Sequence, residues 1–214
     1  MLALTFSTGV IDAVGYLGLD RVFTGNMTGN VVILGMALTG ADDLPVVGPI
    51  IALALFLLGA LVAGRTLRKQ PAGWSSRTTA LFGVVGAVLA ASAIVAFAVG
   101  EDRPEWVALC ITGSLGFAMG MQAGSARQIG VKDVTTVVVT STLVGLAFDS
   151  RFGGNAKQQW FRRAGAVILI GAGAAVGALL LHVHVGLGMA VAAGITIIAA
   201  ILGHIGKPHP VVTE

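Results

Sequence analysis

The sequence predicts an all-α integral membrane protein of about six net crossings, built as two inverted three-helix repeats, each with a broken or re-entrant first element. Three observations carry this. Only 11% of the 214 residues are charged, 56% are hydrophobic, and the mean hydropathy is +0.91. A soluble domain carries roughly 25% charged residues, so this chain lacks the polar surface that water requires and lipid does not. The second observation is a polar stretch, FTGNMTGN at 23–30, set between two apolar runs. The third is the position of two basic loops, at 65–77 and 151–163.

Taken in order, residues 2–19 are apolar apart from Asp12 and small polar side chains, and Asp20-Arg21 follows. Thr24-Gly25-Asn26 and Thr28-Gly29-Asn30 then repeat at a spacing of four, which on a helix stacks them on one face. An apolar run at 31–39 leads to a turn at Asp42, Asp43 and Pro45. Residues 46–64 and 79–99 are clean spans near the roughly 20 residues a bilayer needs, separated by Arg65, Arg68, Lys69 and Arg77. An acidic connector at 101–105 precedes the glycine-rich run 106–126, where Gly116, Gly120 and Gly124 form an array suited to close helix contact. A polar break at 127–133 is followed by a threonine-rich apolar run at 134–148. Arg151, Lys157, Arg162 and Arg163 make the second basic loop beside Trp160, an interfacial anchor by type. The last spans, 164–181 and 187–205, are joined by His182-Val-His184-Val-Gly186.

Loop charge sets the count of crossings. If every apolar run crossed, the two basic loops would lie on opposite sides, against the positive-inside bias. If 2–39 and 106–148 each make one net crossing, both basic loops and Lys207 are cytoplasmic, and so are both termini. Asp42-Asp43, the 101–105 connector and the His loop are then outside. Three crossings per half force the halves, 1–100 and 105–206 of a single transmembrane domain at 1–214, to be inverted relative to each other. The residues echo this: Met27-Thr-Gly-Asn30 finds a counterpart in Val139-Thr-Ser-Thr142, and Asp12-Ala13 in Gln122-Ala123.

Candidate site residues follow from the cost of polarity in lipid. Asp12, mid-helix, costs about 2.5–3.5 kcal/mol to insert and should face the interior with a partner. It is either a proton or cation site, or a carboxylate that caps the broken helix or pairs with Arg21. Asn26, Thr28, Gly29 and Asn30 either line a solute pocket or satisfy the backbone freed at the break. Gln122, Thr136, Thr140 and Thr142 are their counterparts in the second half, with Arg127 and Lys132 nearby as anion contacts or interfacial charges. The two broken elements are expected to meet near the bilayer midplane, each at the start of a short helix.

Other classes find little in the residues. Scattered basic residues argue against nucleic acid. The run Gly171-Ala-Gly173-Ala-Ala-Val-Gly177 lacks the third glycine of a dinucleotide fingerprint, and no phosphate-binding loop is present. No cofactor is expected. His182 and His184, two apart, would point to different helix faces, and no metal site is expected. Cys110, the single cysteine, excludes an intrachain disulfide and is read as a packing residue. The first run has no cleavage site, so it is not a signal peptide.

Gly9-Val-Ile-Asp12-Ala13 and the Met-Thr-Gly-Asn core at 27–30 resemble the YoaK family of small bacterial multipass membrane proteins, as do Gly120-Met-Gln-Ala123 and Thr-rich 135–143. The resemblance covers nearly the whole chain. It implies a membrane placement in a family described as a domain of unknown function, whose members are often named membrane proteins or small-molecule transporters. Ser141 and Thr142 stand where its second motif more usually has Gly-Thr, which bears on how closely the second broken helix packs. The family's basic leader would stand ahead of Met1. A bacterial cytoplasmic-membrane location follows.

The leading expectation is a carrier or channel-like protein for a small solute, proton- or cation-coupled, with lipid as its surroundings and a homo-oligomer as an option. The alternative is a non-transporting scaffold that binds partner subunits through glycine-rich helix faces. An intramembrane enzyme ranks last, since Asp12, Asp20 and Asp149 are the interior acids available.

Overall fold

The computed structural model describes residues 1–41, 43–130, 139–150 and 160–206, so Asp42, Lys132, Thr135, Thr136, Arg151, Lys157 and Lys207 lie outside the described residues. Eight helices follow in order: α1 Leu2–Gly18, α2 Met27–Ala37, α3 Val47–Leu67, α4 Ser76–Val99, α5 Glu105–Ile129, α6 Val139–Phe148, α7 Trp160–Leu181 and α8 Val185–Ile205. There is no strand among the described residues. Helices α3, α4, α5, α7 and α8 are long and apolar enough to cross a membrane, and α1 has 17 residues. At 11 and 10 residues, α2 and α6 reach only about half the ~30 Å hydrocarbon thickness at 1.5 Å per residue.

Both ends of these helices obey local chemistry. Ser75 caps α4 through a reciprocal exchange with Thr78, and α5 stops at Gly130, whose φ of 68° is left-handed. The helices run further into the first basic loop than the charges suggest. Arg65 lies in the last turn of α3 and Arg77 in the first turn of α4.

The single-face stripe expected for the two Thr-Gly-Asn triplets does not form. The first triplet is loop, the second opens α2, and the chain reverses between α1 and α2 through left-handed backbone at Asp20 (φ 63°) and Arg21 (φ 56°). The reason is tertiary: the amides of the first triplet are taken by a side chain on α1, described below, and so are lost to a helix.

Glycines set the closest contacts. A Cβ on Gly9 of α1 would strike the Ile170 carbonyl of α7, and one on Gly173 of α7 would strike the Phe6 carbonyl of α1. The same reciprocal contact joins Gly59 of α3 to the Phe117 carbonyl of α5 and Gly120 of α5 to the Phe56 carbonyl of α3. Gly116 and Gly124 lie on α3 as well, against Ala52 and Ala60. Elsewhere α4 packs on α8, α1 on α8, α5 on α4, α2 on α3 and α6 on α7. Val10, Val14, Leu89, Leu115 and Met189 fill the core where α1, α4, α5 and α8 meet.

Side-chain contacts define two ends. At one, Gln128 Nε2 donates to the Gln70 carbonyl (2.9 Å), Trp74 stacks on Phe82, and the Thr79 hydroxyl meets His204 Nδ1 at 3.2 Å. Leu4, Phe82 and Ala200 join there with Met1, so this end holds the start of α1, the α3–α4 turn and the ends of α5 and α8. At the other end Val22 covers Gly48, and Phe97 stacks on His184, whose Nε2 lies 3.8 Å from Glu101.

Two sequence expectations change here. His182 and His184 do not occupy faces of one helix: α7 ends at Leu181, and His184 caps α8 by accepting the Gly186 amide on Nδ1. Cys110 is exposed, in an apolar groove with Ile51, Leu55, Val88 and Gly113.

Candidate functional site

Asp12 is buried in α1, at 9% exposure, and its carboxylate is the centre of the loop that follows. Its Oδ1 accepts three consecutive backbone amides, from Thr24 (3.1 Å), Gly25 (2.7 Å) and Asn26 (3.3 Å). No described residue bonds Oδ2. A carboxylate gathering three loop amides just ahead of a helix gives those amides an acceptor that lipid could not, and it stands near the positive end of the helix dipole. Of the roles open for Asp12, capping the break is therefore realised, through backbone amides and not through Arg21, which is exposed.

The rest of the break is held by two asparagines doing different work. Asn26 is the N-cap of α2, its Oδ1 accepting the Gly29 amide at 3.2 Å. Asn30, one turn on, clasps the backbone of Phe23 from both sides: its Oδ1 accepts the Phe23 amide at 2.8 Å, and its Nδ2 donates to the Phe23 carbonyl. Gly29 is required by the ring of Phe23, which leaves no room for a Cβ. Neither Gly25 nor Gly29 has a positive φ, so both serve close approach and not unusual backbone.

These residues border a cavity of about 690 Å³. Asp12, Asn26, Thr28 and Gly29 line it from the first break, and Val139 and Thr140, the first residues of α6, line it from the second half. The start of α2 and the first described turn of α6 thus share one cavity, but α2 and α6 do not pack on each other among the described residues, so the expected meeting of the two elements is replaced by a space between them.

Other expected residues lie elsewhere. Asn30 is buried off the cavity, and so is Gln122, whose Nε2 donates to Thr8 Oγ1 (3.1 Å) and to the Leu4 carbonyl (3.5 Å). Thr142 is buried within α6, Arg127 is exposed in the last turn of α5, and Thr136 is outside the described residues. Conversely, Thr8, Tyr16 and Phe23 line the cavity without being among the candidate site residues, although Phe23 opens the 23–30 stretch expected there. A signal existed for two of them: Thr8, Asp12 and Tyr16 are spaced by four, the repeat of one helix face.

Residues 1–202 match a family model described as a protein of unknown function, DUF1275. The chain belongs to the DUF1275 family. The UPF0700 transmembrane protein YoaK of Bacillus subtilis (strain 168) is 30% identical to it over 184 residues, covering 82% of this chain and 80% of that protein. No solved structure matches. With its apolar helices, this DUF1275 chain is a multi-pass membrane protein. The family assignment brings no chemistry with it, so the cavity has to be read from its own residues.

Proposed function

We propose that this DUF1275 protein is a small-solute carrier or channel-like protein of the bacterial cytoplasmic membrane, its site a cavity that two short helices border from the two halves of the chain. The observation that carries this is the shared cavity: the break before α2 and the start of α6 both open into it, with Asp12 between them. Ionisable groups within a membrane mark solute or ion pathways more often than structure alone. Volumes of roughly 300–1,000 Å³ are those of small-molecule sites.

An inverted repeat is the second part of the reading. Exchange α1–α4 with α5–α8 and the packing pattern is unchanged: α1 on α7 becomes α5 on α3, α1 on α8 becomes α5 on α4, and α2 on α3 becomes α6 on α7. The glycine crossings, Gly9 with Gly173 and Gly120 with Gly59, exchange in the same way. Because α1 starts at the end of the bundle where α5 finishes, the halves run in opposite senses. Six crossings then put both termini and both basic loops at one face, taken as cytoplasmic. Matching the glycines sets Asp12 opposite Ala123, one place away from the Gln122 pairing that sequence alone suggests. The site is accordingly asymmetric, with its acid in one half only. We place no catalytic role on it.

The scaffold alternative loses its best feature, since Gly116, Gly120 and Gly124 are used inside the chain against α3. Solute flux into proteoliposomes, compared for the intact protein and Asp12→Asn, tests the proposal. A ligand-dependent thermal-shift screen in detergent supplies the solutes to try. Absence of flux for every solute that stabilises the protein would leave the scaffold in place.

A further inference from the structure

We infer that the cavity selects a small organic cation, an alkylammonium, by pairing the carboxylate of Asp12 with the stacked rings of Tyr16 and Phe23. This assignment rests on the cavity being a solute site, and it goes beyond that by naming the solute's charge and chemistry.

Charge comes first. Among the described residues that line the cavity there is one acid, Asp12, and there is no lysine, arginine or histidine. Three amides meet Oδ1, whereas Oδ2 takes no hydrogen bond from the described residues. An anionic solute would place a second negative charge beside Asp12 where the dielectric is low and repulsion is strong. The dipole of α2, which could have favoured an anion, is already answered by Asp12 itself. A neutral solute would leave the carboxylate without a counter-charge.

The walls then separate organic from inorganic cations. Tyr16 and Phe23 stack with centroids 4.9 Å apart and planes 24° from parallel, and both line the cavity. Tyr16 lies one helical turn beyond Asp12, so ring and carboxylate are neighbours on one face of α1. An aromatic face attracts an ammonium carrying alkyl groups, which buries its carbon on the ring while its charge meets the carboxylate. Hard divalent cations look instead for several carboxylates, and no cluster of three His, Cys, Asp or Glu that could hold one occurs among the described residues. The exposed side chains of Asn26, Thr28 and Thr140 leave polar atoms for a substituent on the far side.

The test uses tetramethylammonium and methylammonium as probes, with acetate and glycerol as the anionic and neutral controls. Binding is measured by calorimetry on the full chain in nanodiscs, and uptake is measured in proteoliposomes. The expected result is that the ammonium probes bind and enter, that Asp12→Asn weakens both by about tenfold or more, and that Tyr16→Leu weakens them roughly fivefold. Tyr16→Leu leaves the Asp12 cap in place, so it reports on the site even if Asp12→Asn folds poorly. Ammonium binding without uptake keeps the cation site and removes the carrier reading. Uptake of acetate or glycerol but of neither ammonium keeps the carrier and overturns the cation. Sodium or potassium displacing the probes at equal concentration overturns the organic assignment, and so does the absence of ammonium binding.

Discussion

Asp12 on α1 holds the amide of Gly25 at 2.7 Å, across a chain reversal of thirteen residues, and this contact fixes where α2 begins. The flanking amides of Thr24 and Asn26 converge on the same oxygen, so the loop is folded around a single atom. The same side chain holds the loop and is the acid of the proposed site, and substitutions can separate the two roles.

Asp12→Ala should leave three amides without their protein acceptor at once. A loss of about 3 kcal/mol or more is expected, against about 1 kcal/mol for Asp12→Asn, whose carbonyl still accepts. Thermal unfolding in detergent, followed by size-exclusion fluorescence, checks the order of the two variants. Equal loss for both would mean that the charge and not the acceptor holds the loop.

Asn30 and its neighbours should divide cleanly between folding and solute handling. Asn30→Ala breaks the clasp on Phe23 and is expected to lower the thermal midpoint while leaving the apparent KM for flux near its original value. Thr28→Ala, in contrast, removes a cavity hydroxyl that no cap requires, so KM should rise with the midpoint unchanged. Gly29→Leu drives a side chain into the Phe23 ring and should abolish flux. A midpoint drop for Thr28→Ala equal to that of Asn30→Ala would defeat this division.

Two glycines on one helix give an internal control for the crossings. Gly173 of α7 has the Phe6 backbone against it, whereas Gly171 faces open space. Gly173→Val should cost about 2–3 kcal/mol through overpacking, and Gly171→Val should stay within about 0.5 kcal/mol. Gly59→Val and Gly64→Val make the matching pair on α3, with the same outcome expected.

The topology is open to labelling. In a Cys110→Ala background, cysteines at Gln70 and Trp160 should react with an impermeant reagent from the cytoplasmic face, and those at Asp102 and Val183 from the opposite face. Gln70 and Trp160 reacting from different sides would dismantle the inverted repeat.

Much of the architecture was legible in the residues. Apolar runs broken by Asp42-Asp43, the 101–105 connector and the two basic loops anticipated helix positions to within a few residues, because lipid punishes any unpaired backbone and leaves helix as the local solution. The shortness of α2 was implied by the polar stretch ahead of it, whereas the stretch ahead of α6 lies outside the described residues. Helical spacing within FTGNMTGN misled, because periodicity registers which residues could share a face and not whether their amides are claimed by a distant acid. Cys110 misled likewise, since an apolar segment does not reveal which of its faces turns inward.

The sequence by itself determined the lipid environment, the helical class, the two polar interruptions and Asp12 as the acid to watch, since each of these follows from the cost of placing a given residue in hydrocarbon. Tertiary structure decided which role Asp12 takes at the loop, that Asn30 serves Phe23 and not the cavity, and that the stacked rings of Tyr16 and Phe23 border the same space as Asp12. Those relationships depend on how α1, α2, α6 and α7 cross. The crossings depend in turn on which carbonyl each glycine rests against, and that is set by three-dimensional fit between segments more than a hundred residues apart in the chain.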